Sequence, residues 1–128
     1  MKTYFTSESV TEGHPDKVCD RIADAILDET LRLDPLAHVA CEVATTTNMI
    51  HVMGEITAEG APAYADVIQR TVREIGYDEP NVGFSASEAT ILLNIHEQSP
   101  DIARGVLQKE VKKAGRRGSG HRVWICLQ

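Results

Sequence analysis

Two short runs of alternating apolar residues constrain the fold of this chain more than any other feature of its sequence. Residues 37–47 and 50–57 are rich in β-branched side chains, and Asn48-Met49 lies between them. Such alternation is typical of strands with one buried face, and the short spacer has the length of a tight hairpin turn. The pattern therefore predicts an antiparallel hairpin.

Helical periodicity flanks the hairpin on both sides. A helix is predicted from Pro15, a residue suited to a first turn, to Asp34-Pro35, which ends it. A second helix is predicted over residues 61–76, because apolar residues recur there at helical spacing up to a closing glycine.

Short strands are predicted at residues 3–6 and at residues 87–98, the latter with a buried centre at Ile91–Leu93. Together with the hairpin and the two helices, they indicate the α+β class. The expected architecture is a mixed or antiparallel sheet with helices packed on one face.

The composition fits one soluble domain and excludes several other classes of protein. With 128 residues, 42% of them hydrophobic, the chain can form a core. Its net charge of −6 makes it too acidic to bind nucleic acid by bulk charge. No apolar run approaches the length of a membrane helix, and the N-terminus lacks an apolar signal core. Three cysteines without a CxxC pair argue against a disulfide framework. A cytoplasmic location is therefore expected.

The densest cluster of reactive side chains is the run from Glu12 to Lys17, at the start of the first predicted helix. A helix start offers unpaired N–H groups and the positive end of the helix dipole, which suit phosphate. A carboxylate at Asp16 could hold Mg²⁺ together with phosphate oxygens. On spacing alone, the alternative is that His14 merely caps the helix and that Asp16 merely improves its dipole.

Two glutamates, Glu42 and Glu55, lie inside the hairpin strands. Glu42 shares its face with Ala40 and Ala44, so a buried charge that needs a cation or an amine is one interpretation. The other interpretation is that both carboxylates lie on the wet face of the sheet. Metal-ligand spacing is lacking at the scattered histidines, His38, His51 and His96.

A longer string, FTSESVTEGHPDKVCDRIADAILD over Phe5–Asp28, closely resembles the opening of S-adenosylmethionine synthetase, also called methionine adenosyltransferase. The likeness keeps its order further along the chain, in VACE (39–42), GEIT (54–57), TVREIGY (71–77) and QSPDIARGV (98–106). These segments include the helix start and both hairpin glutamates.

The resemblance implies a reaction in which the methionine sulfur attacks C5′ of ATP. The products are S-adenosylmethionine and triphosphate, and the triphosphate is then cleaved to phosphate and pyrophosphate. The implied roles are triphosphate contact and catalysis for His14, Mg²⁺ ligation for Asp16, K⁺ ligation for Glu42, and methionine binding for Glu55 and Gln98. Residues 98–108 would form a gating loop. The family architecture has three domains, with the active site between two subunits of a homo-oligomer.

The C-terminal segment departs from the family pattern. Gly115–Gln128, GRRGSGHRVWICLQ, stands where the family has a motif of the form GAGDQGxxFGYAxN. Codons for this segment, read one base later, can encode GAGDQGIVFGYA, which predicts a single-base frameshift between Leu107 and Gly115. The alternative is a naturally divergent tail. The expected domains are therefore a family N-terminal region at residues 1–106 and an aberrant basic tail at residues 107–128.

Three functions follow as expectations. The first is the N-terminal portion of the synthetase, inactive as an isolated chain because the family's later nucleotide and metal ligands are missing from it. The second is a non-catalytic fragment that associates with full-length synthetase subunits. The third, a nucleic-acid binder, rests on the basic residues of 104–122 alone.

Overall fold

A computed structural model describes residues 2–80 and 83–97 of the chain. Within these ranges the elements are, in chain order, α1 (Pro15–Leu33), β1 (His38–Thr46), β2 (Met49–Thr57), α2 (Tyr64–Ile75) and β3 (Thr90–His96). The gating loop expected at 98–108 and the tail expected at 107–128 lie outside the described residues.

Helix α1 begins and ends where the sequence predicts. His14 is its N-cap, and the imidazole Nδ1 accepts a hydrogen bond from the Asp16 amide at 3.2 Å. Beyond the last turn, the Asp34 carboxylate accepts hydrogen bonds from the backbone amides of Glu59 and Leu36, both at 2.9 Å. These bonds favour the ionised carboxylate and so lower the pKa of Asp34. They also tie the end of α1 to the segment that follows β2.

Helix α2 starts later than predicted and ends as predicted. It begins at Tyr64 instead of residue 61, and its C-terminal cap is Gly76. Gly76 has a φ of +113°, a left-handed conformation that glycine adopts without a Cβ clash. The chain therefore leaves the helix abruptly, which directs the next residue, Tyr77, back toward the core.

The predicted antiparallel hairpin of β1 and β2 is confirmed. Its turn lies one residue earlier than predicted, because Thr47 and Asn48 form the turn and Met49 already pairs with Thr46. Asn48 has a φ of +55°, and asparagine tolerates this left-handed conformation better than most residues. The tight reversal therefore falls on Asn48 itself.

Strand β3 pairs in parallel with β2, so the sheet is mixed and its strand order is β1–β2–β3. It is shorter than predicted, because residues 86–88 form a turn in which the Glu88 amide donates to the Ser85 carbonyl. The predicted buried centre is wrong, since Leu92 and Leu93 are 44% and 42% exposed. Leu92 faces the uncovered side of the sheet, and Leu93 belongs to an edge strand at the margin of the helical layer.

The core lies between the two helices and one face of the sheet. Its buried aliphatic residues include Val18, Ile22 and Ile26 of α1, Ile50, Val52 and Ile56 of β2, and Val67, Ile68 and Val72 of α2. Each such side chain contributes about 1.5–3 kcal/mol by burial, so this layer stabilises the fold. The predicted α+β class, with helices on one face, is confirmed.

Neither α1 nor α2, the helices of the described part, is long and apolar enough to cross a membrane.

The strand predicted at residues 3–6 does not form. Residues 2–10 have no regular secondary structure, and the side chains of Tyr4 and Phe5 are 86% and 93% exposed. An extended segment needs a neighbouring strand to pair its backbone groups. In the described sheet, none of the three strands pairs with it.

The Cys41 thiol offers a pH-dependent test of the packing against the inner face of β1. It is half-buried on the inner face of β1, and burial raises its pKa from 9.0 to about 11. In a variant without the other two cysteines, a thiolate-selective reagent at pH 8 should therefore label folded Cys41 about 100-fold more slowly than an ordinary thiol.

The sign of the pH effect follows from the same shift. Between pH 9 and pH 11 the unfolded chain loses the Cys41 proton and the folded chain keeps it, so stability should decrease as the pH rises through this window. Urea unfolding at pH 8 and pH 10.5, with Cys41→Ala as the control, measures the decrease. Equal labelling rates for the folded and the urea-unfolded chain would contradict the prediction.

Candidate functional site

The start of α1 brings His14 and Asp16 together. Their side chains are 42% and 68% exposed, and the imidazole Nδ1 lies 3.8 Å from the Asp16 carboxylate. Because Nδ1 accepts the Asp16 amide N–H, the neutral ring carries its proton on Nε2. The capping role is therefore present, and it leaves Nε2 and the carboxylate accessible to a ligand.

The loop before His14 is held from the far end of α2. The Tyr77 hydroxyl donates a hydrogen bond to the Gly13 carbonyl at 2.6 Å, and the Tyr77 ring meets Phe84 edge-on with centroids 5.2 Å apart. The His14 amide also donates to the Thr11 carbonyl at 3.0 Å, which closes a turn. Sequence reasoning missed Tyr77, because this contact joins segments far apart in the chain. The sequence feature that could have pointed to Tyr77 is the position of an aromatic residue directly after the glycine that ends α2.

A cleft of about 460 Å³ opens beside this helix start. Its lining includes Gly13 and Pro15 at the start of α1, residues 45–47 at the hairpin turn, and the aromatic pair Tyr77 and Phe84. The Cys19 Sγ lies 3.5 Å from the Thr45 Oγ1, which joins α1 to the hairpin at this end. Hydroxyl groups and ring surfaces therefore lie next to the positive end of the helix dipole.

The hairpin glutamates lie on the sheet face that α1 and α2 leave uncovered. Glu42 is opposite Met53 and Glu55 is opposite Ala40, so the two carboxylates are diagonal neighbours on one face. Glu42 is exposed and Glu55 is half-buried. The interpretation of Glu42 as a buried charge is wrong, because Ala40 and Ala44 on either side of it are also exposed.

Polar side chains of β2 and β3 share this outer face with Glu55. His96 is the parallel partner of Glu55, and Asn94 is the partner of Met53. The Asn94 Nδ2 lies 3.1 Å from the His51 Nε2. Sequence reasoning treated these histidines as scattered, because spacing along the chain does not reveal that β2 pairs with β3.

The two pairs of candidate residues lie on different sides of the sheet. Helix α1, which carries His14 and Asp16 at its start, packs on the inner face, whereas Glu42 and Glu55 project from the outer face. The structure therefore brings His14 close to Asp16, and Glu42 close to Glu55. Within one chain, the two pairs do not form a single site. Gln98 lies outside the described residues.

The carboxylates suit hard cations by their chemistry. Oxygen is the ligand that Mg²⁺ prefers, and a typical Mg²⁺ site uses one or two carboxylates together with water and substrate phosphates. Among residues 2–80 and 83–97, no three His, Cys, Asp or Glu side chains converge into a group that could hold a metal ion. A single exposed carboxylate such as Asp16 fits Mg²⁺ that arrives with phosphate better than it fits a closed metal cage.

A model of a known protein family matches most of the chain. The family is described as S-adenosylmethionine synthetase, N-terminal domain, and the match covers residues 2–100. It therefore includes α1, the three described strands, α2, and the five residues to which the resemblance gives a ligand or catalytic role, His14, Asp16, Glu42, Glu55 and Gln98, and it ends within the expected gating loop.

Proposed function

The chain belongs to the S-adenosylmethionine synthetase family, and we propose that it is the N-terminal portion of an enzyme that forms S-adenosylmethionine from ATP and L-methionine. The reaction would release phosphate and pyrophosphate. The observation that carries this proposal is the start of α1, where a capping histidine and an exposed carboxylate lie at the positive end of a helix. Such a place suits a polyanionic leaving group, whose charge is stabilised by aligned dipoles and cations.

His14 and Asp16 would act on the triphosphate chain. His14 would use Nε2, because Nδ1 is engaged by the Asp16 amide, and an Nε2–H donor stabilises the departing oxygen as its charge develops. Asp16 would ligate Mg²⁺, with water and phosphate oxygens as the remaining ligands. Mg²⁺ held there would supply positive charge to the leaving group.

The outer face of the sheet would serve methionine and K⁺. The Glu55 carboxylate is suited to the ammonium group of methionine, Glu42 would ligate K⁺, and Gln98 would complete the methionine site. Since Glu42 and Glu55 lie across the sheet from His14, a complete active site would require a second subunit, as the homo-oligomer implied by the family would provide. Residues 98–108 would act as the gating loop that excludes water.

A second function, non-catalytic association with full-length synthetase subunits, is favoured by the same uncovered face. Met49 and Leu92 on this face are 36% and 44% exposed, and β1 and β3 form the edges of the described sheet. Exposed apolar surface and sheet edges are sites where another chain can bind. This function would leave the chain inactive by itself.

The test of catalysis is a chimera in which residues 1–97 replace the corresponding residues of an active S-adenosylmethionine synthetase. We expect S-adenosylmethionine formation that depends on ATP, methionine, Mg²⁺ and K⁺, measured by chromatography. Asp16→Asn should raise the Mg²⁺ concentration needed for half-maximal rate, because one ligand is lost. Asp24→Asn, a matched change at an exposed position two turns further along α1, should not. A folded, oligomeric chimera without activity would contradict the proposal.

Size-exclusion chromatography of the 128-residue chain mixed with intact synthetase tests the second function. A fragment that associates should co-elute with the enzyme. A monodisperse chain that elutes separately at every ratio would argue against association.

A further inference from the structure

Tyr77 connects the end of α2 to the backbone directly before His14. Its hydroxyl donates to the Gly13 carbonyl at 2.6 Å, which is at the short end for a hydrogen bond between two oxygens. Gly13 immediately precedes the N-cap, so its carbonyl belongs to the peptide that carries the His14 nitrogen. Fixing this carbonyl therefore restricts the direction in which the His14 side chain leaves the backbone.

Tyr77 is itself held on three sides. Its amide donates to the Val72 carbonyl at 3.2 Å, and its carbonyl accepts from the Ala86 amide at 2.9 Å. Its ring packs edge-on against Phe84 at an interplanar angle of 90°. These contacts restrain the position of the Tyr77 ring. Its hydroxyl therefore holds the Gly13 loop in place, which a hydroxyl on a freely rotating surface side chain would not do.

We propose that Tyr77 is a positioning residue for His14. By holding the Gly13 carbonyl, it keeps Nδ1 of the imidazole on the Asp16 amide and keeps Nε2 available to a ligand. The consequence for catalysis rests on the proposed function, whereas the positioning of the ring does not. Sequence pattern gave no role to Tyr77, which lines the cleft beside α1.

A role in stability alone would have a different signature. A tyrosine that only stabilises the fold would, when changed, lower the free energy of unfolding and leave His14 unaltered in the molecules that remain folded. The positioning role predicts a change in the ring of His14 within the folded state. The state of that ring is therefore the informative measurement.

The first test compares Tyr77→Phe with Tyr64→Phe in the 128-residue chain. Both changes remove one hydroxyl from a half-buried ring, and Tyr64 lies at the start of α2 instead of beyond its end. With the imidazole neutral, ring-nitrogen NMR shifts of His14 should move toward the average of the two tautomers in Tyr77→Phe and stay unchanged in Tyr64→Phe. The exchange rate of the Asp16 amide, relative to that of the Ile26 amide in the core, should rise about 2- to 10-fold in Tyr77→Phe alone. Unchanged His14 shifts and an unchanged exchange ratio would overturn the proposal.

The second test uses the chimera and separates this proposal from the proposed function. Tyr77→Phe should lower kcat about 10-fold and leave the KM for methionine unchanged, because methionine is assigned to the opposite face of the sheet. If the chimera is inactive but the His14 shifts respond to Tyr77→Phe, positioning stands and the proposed function fails. If the chimera is active and Tyr77→Phe changes neither kcat nor the His14 shifts, positioning fails and the proposed function stands.

Discussion

Replacing His14 with alanine in the active chimera should lower kcat by about 100- to 10,000-fold, the range expected when a positioned acid–base group is lost. The imidazole lies at the positive end of α1 with Nε2 open, and alanine would leave the departing triphosphate without that donor. Stability should fall by about 1 kcal/mol, because the change also removes the N-cap acceptor. Initial rates of S-adenosylmethionine formation at saturating ATP and methionine, together with urea unfolding, measure the two effects.

Two control variants separate the chemistry of His14 from its capping role. His14→Asn retains a side-chain oxygen for the Asp16 amide, so it should preserve stability and still lose turnover. His38→Ala removes an exposed histidine from the start of β1 and should alter neither quantity. An unchanged rate in His14→Ala would refute the assigned role.

Gly54→Ala should lower the free energy of unfolding by about 3 kcal/mol or more, a large part of the stability of a small domain. Gly54 lies in β2 with a φ of +149°, and it approaches β1 so closely that an added Cβ would overlap the Ala40 carbonyl oxygen. The neighbouring atoms belong to the β1 backbone and cannot rotate away as a side chain would. Urea unfolding followed by circular dichroism measures the loss.

Gly76→Ala is the matched control for Gly54→Ala. Gly76 also has a positive φ, but an added Cβ there would meet no atom within 4 Å. This variant should lose about 1–2 kcal/mol from backbone strain alone. Equal losses in the two variants would show that the close approach of β1 and β2 at Gly54 is unimportant.

Much of the fold follows from local sequence signals. The start of α1 at Pro15, its end before Asp34, and the end of α2 at Gly76 each depend on a residue whose backbone preference acts within one turn. The hairpin follows from alternation, and its turn was misplaced by one residue because pattern alone does not decide which residue adopts a positive φ. The strand expected at residues 3–6 failed for a different reason, since a strand depends on a partner that sequence does not identify.

The sequence indicated which residues are candidates for the site. It gave less information about how these residues are arranged in space. Burial of Glu42 was inferred from its alanine neighbours, yet alternation does not say which face of a sheet the helices cover. The separation of Glu42 and Glu55 from His14 required the observed packing of α1. The contact between Tyr77 and Gly13 required the path of the whole chain. Local propensity carries no information of this kind.

The parallel pairing of β3 with β2 has a consequence for the order of assembly. The hairpin joins residues as close in sequence as Thr46 and Met49, whereas β3 pairs Thr90 with Met49, 41 residues earlier. Closing the longer loop costs more conformational entropy, so we expect α1 and the hairpin to form first and β3 to join the sheet afterwards. During synthesis β2 therefore emerges well before the strand that covers its second edge. In that interval the uncovered edge of β2 can pair with a second nascent chain, so we expect slow addition of β3 to favour misassembly.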